Sequence, residues 1–232
     1  MGISYNTTTV RSGLVLHLDA ANPKSYTGSG TTWKDLSGQG NNSILVNGVG
    51  YTTSNNGSMV FDGANDYATI SRPSSIVTGG SLTVCVMAKW TTVGTSVSNI
   101  QALVDNNHSA APMQGFILQD RPDLNKALTF SVRPSSSGTV ISTFQVGDGK
   151  WHYIVGTNDG AMSKLYIDGV FNAQYAEAGL ASVQPVVSIG YWQFAPGRYL
   201  TGNIPLVQLY NRALTAQEVR QNFEAVRGRY SI

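Results

Sequence analysis

The 232 residues predict an all-β protein, an antiparallel sandwich or barrel, on three observations. Apolar and polar residues alternate with a period of two in many short segments, the signature of half-buried strands. Turn residues separate these segments at short intervals, and glycine is abundant at 25 positions. No helical period intervenes between them, so the βαβ crossovers of a parallel sheet have nothing to form from.

The clearest segment is residues 149–170, GKWHYIVGTNDGAMSKLYIDGV. Trp151, Tyr153 and Val155 alternate with His152, Ile154 and Gly156, and Leu165 and Ile167 alternate with Tyr166 and Asp168. Asn158-Asp159-Gly160 between the arms tolerates the positive φ of a tight turn, so the segment predicts a β-hairpin. Asp168-Gly169 is a second turn signal, after which Val170-Phe171 opens a further strand.

The remaining elements follow in order. Residues 13–19 (GLVLHLD) predict a first strand with Leu14, Leu16 and Leu18 on one face, and a long polar loop follows. Short strands are expected at 44–46, 59–62 and 67–70. Residues 82–90 carry the longest clean alternation: Leu82, Val84, Val86, Ala88 and Trp90 on one face, Thr83, Cys85, Met87 and Lys89 on the other. Further strands are expected at 102–105, 115–119, 127–132, 139–145, 186–190 and 204–210. One helix is predicted, at the C-terminus. Thr215-Ala216-Gln217-Glu218 is a capping box, and Val219, Phe223 and Val226 form an apolar stripe. No compositional break or internal repeat divides the chain, so one domain over 13–232 with an N-terminal arm over 1–12 is expected.

Composition narrows the function. A net charge of +2 without a basic run interleaved with aromatics argues against a nucleic-acid partner. No segment is long and apolar enough to span a bilayer as a helix. The single Cys85 excludes an intramolecular disulfide and any multi-cysteine zinc site, and its place in a strand predicts a packed thiol. Residues 1–13 lack the basic start and apolar run of a secretory signal, and Asn6 stands where the myristoylation pattern needs Ser or Thr, so folding in a cytoplasm is expected.

Four motifs then occur in a telling order: Asp35-Leu36-Ser37-Gly38-Gln39-Gly40-Asn41-Asn42; Val60-Phe61-Asp62-Gly63-Ala64-Asn65-Asp66-Tyr67; Trp151-His152-Tyr153 with Leu165-Tyr166-Ile167-Asp168-Gly169; and 202–204 with 209–214 and Glu218-Val219. Together they resemble laminin-G-like, concanavalin A-like lectin/glucanase domains over residues 13–229. The resemblance implies a jelly-roll sandwich of two curved antiparallel sheets with a short C-terminal helix. The opening GLVLHLDAANPKSYTGSGTTWKDLSGQGNN is similar to versions of this domain in structural proteins of tailed phages and in bacterial surface proteins. It implies a virion component, a capsid decoration or tail-fibre protein assembled in the host cytoplasm and exposed after lysis, with a cell-surface module as the alternative. Its partners would be other virion proteins of capsid or tail, host glycans, and further copies of the chain in a homo-oligomer.

Glucanases share the fold, but they carry acidic residues at alternating positions on one strand, so that two carboxyls flank the scissile bond. This chain has only Glu177, Glu218 and Glu224, two of them on the terminal helix, and no strand carries that pattern. Asp120 and Asp123 flank Pro122 and are expected in a loop. His17, His108 and His152 have no spacing for metal or nucleophilic catalysis, so no enzyme is expected, with a glycoside hydrolase of unrecognised site as the alternative. The resemblance also implies calcium at the sheet rim, for which Asp19, Asp62 and Asp66 are the carboxylate candidates. Turn capping by Asp62 and Asp66 is the competing reading, and Pro205 stands where the family's Gly-x-Ile-Asp strand has its carboxylate.

Sugar binding needs aromatic faces beside planar polar groups. Residues 191–199, YWQFAPGRY, are the densest aromatic loop. Trp192, Gln193, Phe194, Arg198 and Tyr199 are the candidate ligand-binding residues, with rim packing or a protein interface as the alternative use. Trp33, 105–108 and 120–121 are secondary candidates.

Overall fold

The computed structural model describes residues 8–77, 79–106, 115–125, 127–132, 139–180, 183–195 and 197–232. The strands are β1 (Leu14–Asp19), β2 (Thr32–Trp33), β3 (Ser43–Val46), β4 (Gly50–Thr52), β5 (Ser58–Asp62), β6 (Tyr67–Ser71), β7 (Leu82–Thr91) and β8 (Gln101–Asp105). They continue as β9 (Ile117–Arg121), β10 (Ala127–Ser131), β11 (Val140–Gln145), β12 (Asp148–Asn158), β13 (Met162–Ile167), β14 (Val170–Ala176), β15 (Val186–Ile189) and β16 (Thr201–Tyr210). Helix α1 (Ala216–Val226) follows. One sheet has the order β14-β13-β12-β7-β16-β5-β4 with β1 also on β16, and the other has the order β11-β10-β9-β8-β15-β6-β3-β2. Every pairing among the described residues is antiparallel, and the two sheets form the jelly-roll sandwich.

β7 shows how alternation becomes packing. Leu82, Val84, Val86, Ala88 and Trp90 face the core between the sheets, while Cys85 and Met87 face a second apolar cluster on the outer side. Both faces of this central strand are therefore dry over most of its length, and each fully buried Val or Leu contributes about 1.5–3 kcal/mol relative to exposure. Burial pushes the Cys85 thiol up to about 12, so it packs as a small apolar group rather than as a nucleophile.

The second cluster is the cover that α1 lays on this sheet. Val219, Phe223 and Val226 pack on Tyr153, Val155 and Tyr166 with Cys85 and Met87. The capping box forms as the sequence predicts: Glu218 N donates to Thr215 Oγ1 at 3.2 Å and Thr215 N donates to Glu218 Oε2 at 2.9 Å. Arg212 closes on the same carboxylate with two bonds of 2.7 and 2.8 Å. The turn between β13 and β14 fits beneath the helix. Asp168 and Gly169 both have positive φ, and a Cβ on Gly169 would meet the Phe223 ring at 2.8 Å, so only glycine allows the approach. Residues of the arm lie along the same helix, with Val10 N donating to Asn222 Oδ1 at 2.8 Å and Gln221 Nε2 to Thr8 O at 2.7 Å.

The predicted hairpin is β12–β13. Asp159 Oδ1 accepts from the amides of Ala161 and Met162, and Gly160 supplies a φ of 96°. Two strands, β2 and β4, were not expected, since two and three residues are too few to show a period. β9 corrects the loop expected at 120–123: it runs through Arg121, so Asp120 is a buried strand residue accepting from Thr92 Oγ1 at 2.8 Å, and Pro122 only begins the turn that follows. The Asp35 motif is also structural. Its carboxylate accepts from the amides of His17, Ser37 and Asn41, tying the loop to β1.

Candidate functional site

The candidate site is a short hairpin, residues 191–199, lying across the outer face of the second sheet. It leaves β15 at Gly190, whose φ of 79° turns the chain and whose missing Cβ leaves room for the Phe61 ring. It returns through the buried Leu200, whose amide donates to Gly190 O at 2.9 Å. Tyr191 and Tyr199 bridge, Trp192 N donates to Arg198 O at 3.2 Å, and Gly197 with a φ of 84° serves the turn.

Alternation along the two arms gives the hairpin two sides. On one, Tyr191 and Tyr199 stack with ring centroids 4.5 Å apart and planes 12° from parallel, and Tyr67 of β6 joins at 5.3 Å. Burial, and then the neighbouring Tyr199, raise the Tyr191 phenol, so it is a neutral donor near pH 7. On the other side Trp192 is 6% exposed and packs on Ile100, Ala102 and Ile117. The Arg198 guanidinium lies 4.2 Å from the Trp192 ring centroid. Burial, and then Arg121, lower the Arg198 pKa, while Asp123 opposes them. Arg121 itself holds Asp123 in a fork of 2.8 and 2.6 Å, which keeps that carboxyl below the usual range.

The five predicted residues therefore separate. Phe194, 39% exposed, and the half-buried Arg198 present surface on the Trp192 side, while the half-buried Tyr199 does so beside Tyr67 and Tyr191 on the other. Trp192 is corrected from an exposed stacking platform to the anchor of the hairpin, because the outer face of β8 and β9 offers it an apolar seat. Gln193 is also turned inward: its amide N donates to Asp105 Oδ2 at 3.1 Å and its Nε2 to Ser188 Oγ at 3.1 Å. Tyr67 and Asp123 were missed as site residues, and Arg121 was only a secondary candidate. Arg121 and Asp123 carried a signal, opposite charges two positions apart, whereas nothing local tied Tyr67 to the loop. Trp33 is corrected to a core residue, and His108 lies outside the described residues.

The three calcium candidates do not form one site. Asp19 is held by Arg229 at 2.8 and 3.0 Å. Asp62 lies opposite Thr201 and Asp19 opposite Leu206, five residues apart along β16 or roughly 16 Å. Asp62 Oδ1 caps the turn by accepting from Ala64 and Asn65, and these bonds hold its carboxyl below the usual range. Asp66 is buried, and burial with the neighbouring Asp62 raises its pKa. Among the described residues no three His, Cys, Asp or Glu side chains converge. His152 is structural too, bonded to Asp168 at 2.8 Å and Asp148 at 3.2 Å.

A family model described as the concanavalin A-like lectin/glucanases superfamily, of the laminin-G type, matches residues 62–220. The chain belongs to this superfamily. Solved structures of similar fold include the binding domain of Paraclostridial Mosquitocidal Protein 1, with a TM-score of 0.71 and 16% identity over 92% of this chain and 52% of that one. Another is the botulinum neurotoxin serotype D ligand binding domain in complex with N-acetylneuraminic acid, with a TM-score of 0.70 and 14% identity over 93% of this chain and 51% of that one. The serotype G receptor binding domain is a third, with a TM-score of 0.67 and 14% identity over 92% and 51%. This superfamily member thus spans about half the length of those structures. No curated protein matches it in sequence.

Proposed function

We propose that the protein is a non-enzymatic, lectin-like attachment protein of a tailed-phage virion, a capsid decoration or tail-fibre component that holds host surface glycans through the 191–199 hairpin. The observation that carries the glycan part is the hairpin's supply of aromatic rings and planar donors, Phe194 and the Arg198 guanidinium on the side anchored by Trp192 and the stacked Tyr191 and Tyr199 phenols on the other. Aromatic faces beside planar donors are what sugar rings need. Neighbouring folds that are receptor or ligand binding domains, one of them in complex with N-acetylneuraminic acid, support binding over hydrolysis. The buried engagement of Asp120 and Glu177, the latter bonded to Ser131 and Ser163, supports a structural use of these carboxyls.

The virion part rests on the opening segment, whose loop is the tie built around Asp35. Mass spectrometry of gradient-purified particles from the native host tests it: the protein is expected in many copies per particle, and its absence would overturn the assignment. The half-length match to larger binding domains favours one second reading, a carbohydrate-binding module of a cell-surface protein. Recovery in the envelope fraction instead of the particle would decide for it.

A further inference from the structure

Where the cover of α1 ends, the outer face of its sheet opens into a cleft of about 400 Å³, lined among others by Val60, Lys89, Thr91, Val93, Thr201 and Asn203. Strand register places these side chains in two rungs. Val60 lies opposite Asn203, Asn203 opposite Lys89 and Lys89 opposite Trp151, a single row across four strands. In the next rung Thr201 lies opposite Asp62 and Thr91 opposite Asp148. The spacing of strands and residues makes a strip of roughly 14 by 7 Å, long enough for a short oligosaccharide laid across the strands.

The polar groups of the strip divide by what they already bond. Asp62 caps its own turn, and Asp148 accepts from the Lys150 amide and pairs with His152. The Lys89 ammonium, the Thr91 and Thr201 hydroxyls and the Asn203 amide bond no other side chain among the described residues. Trp151, set against Tyr230 at 5.0 Å, closes the Lys89 end with an aromatic wall.

We infer that this cleft binds an acidic oligosaccharide, a carboxylate or sulfate on Lys89 and ring hydroxyls on Thr91, Thr201 and Asn203, with apolar ring faces against Val60 and Val93. Asp62 at one end of the second rung repels an anion and so favours the Lys89 rung for the acidic group, while Asp148 at the other end is paired with Lys150 and His152. The cleft lies on the sheet opposite the hairpin, and the inference does not depend on the hairpin's role.

Titration calorimetry on the full chain with length-matched oligogalacturonate, sulfated galacto-oligosaccharide and neutral galacto-oligosaccharide tests this. At least one acidic probe is expected to bind about tenfold or more tightly than the neutral one, the margin of one charge-assisted hydrogen bond. Whether the uronate or the sulfate binds names the acidic group. Lys89→Ala should bring acidic binding down to the neutral level, Lys89→Arg should retain it, and Thr201→Trp should abolish it by filling the cleft. The double variant Phe194→Ala, Arg198→Ala should leave it unchanged. No binding of either acidic probe, equal binding by Lys89→Ala, or loss in the hairpin variant alone would each overturn the inference.

Discussion

The outer faces of the two sheets are covered in opposite ways. On one, α1 and its neighbours bury a continuous cluster that includes Tyr153, Tyr210, Phe223 and Tyr230. On the other, the hairpin covers only a small cluster of Ile100, Ala102, Ile117 and Trp192. The first cover functions as part of the core, and the Tyr210 hydroxyl is spent internally: it donates to Val10 O and accepts from Asn222. The second is shallow, anchored by one indole, and leaves its aromatic and cationic groups at the surface. Apolar burial outside the central core is thus concentrated on one outer face and sparse on the other.

The largest expected effect breaks the deep cover. Phe223→Ala should cost about 3–5 kcal/mol in urea unfolding, since the ring is buried between α1 and the β13–β14 turn. Trp192→Ala should cost less, about 1–2 kcal/mol, and speed hydrogen exchange in 191–199 while leaving the sheets protected. A loss equal to that of Phe223→Ala would mean that the two faces are not different in kind.

Smaller effects sharpen the contrast through charge. Arg212 first, with the Thr215 amide, lowers the Glu218 pKa to about 2. A carboxyl depressed on folding stabilises above its unfolded value near 4.5 and loses that contribution as pH falls toward about 2. Glu218→Gln should therefore cost about 1 kcal/mol at neutral pH and flatten the acid limb of the stability curve. At His152 burial opposes the charge, but Asp168 and then Asp148 outweigh it and raise the pKa. That contribution is complete below about pH 6.5 and is lost as pH rises through the raised value, so His152→Gln should remove a decline in the urea midpoint above neutrality.

What could be read from the sequence followed from local rules. The alternation in β7, the Asp168-Gly169 turn and the Thr215–Glu218 box each depend on residues within a few positions, and each formed. What could not be read depended on distant surroundings. Trp192 looked like an exposed platform until Ile100, Ala102 and Ile117 supplied it a seat from β8 and β9. Tyr67 joined Tyr191 across more than a hundred residues of chain, and strand register set Asp19 apart from Asp62 along β16. Asp120 was misplaced because Pro122 was read as ending the strand two residues too early.

The most direct test of the surface assigned to the hairpin is a glycan microarray probed with the labelled full chain and with the double variant Phe194→Ala, Arg198→Ala, whose fold is checked by near-ultraviolet circular dichroism. Binding of a glycan class that both the parent chain and Lys89→Ala hold, and its loss in the folded double variant, is the expected result. Survival in the double variant of every class that Lys89→Ala holds, or a parent chain that binds no glycan, would contradict it.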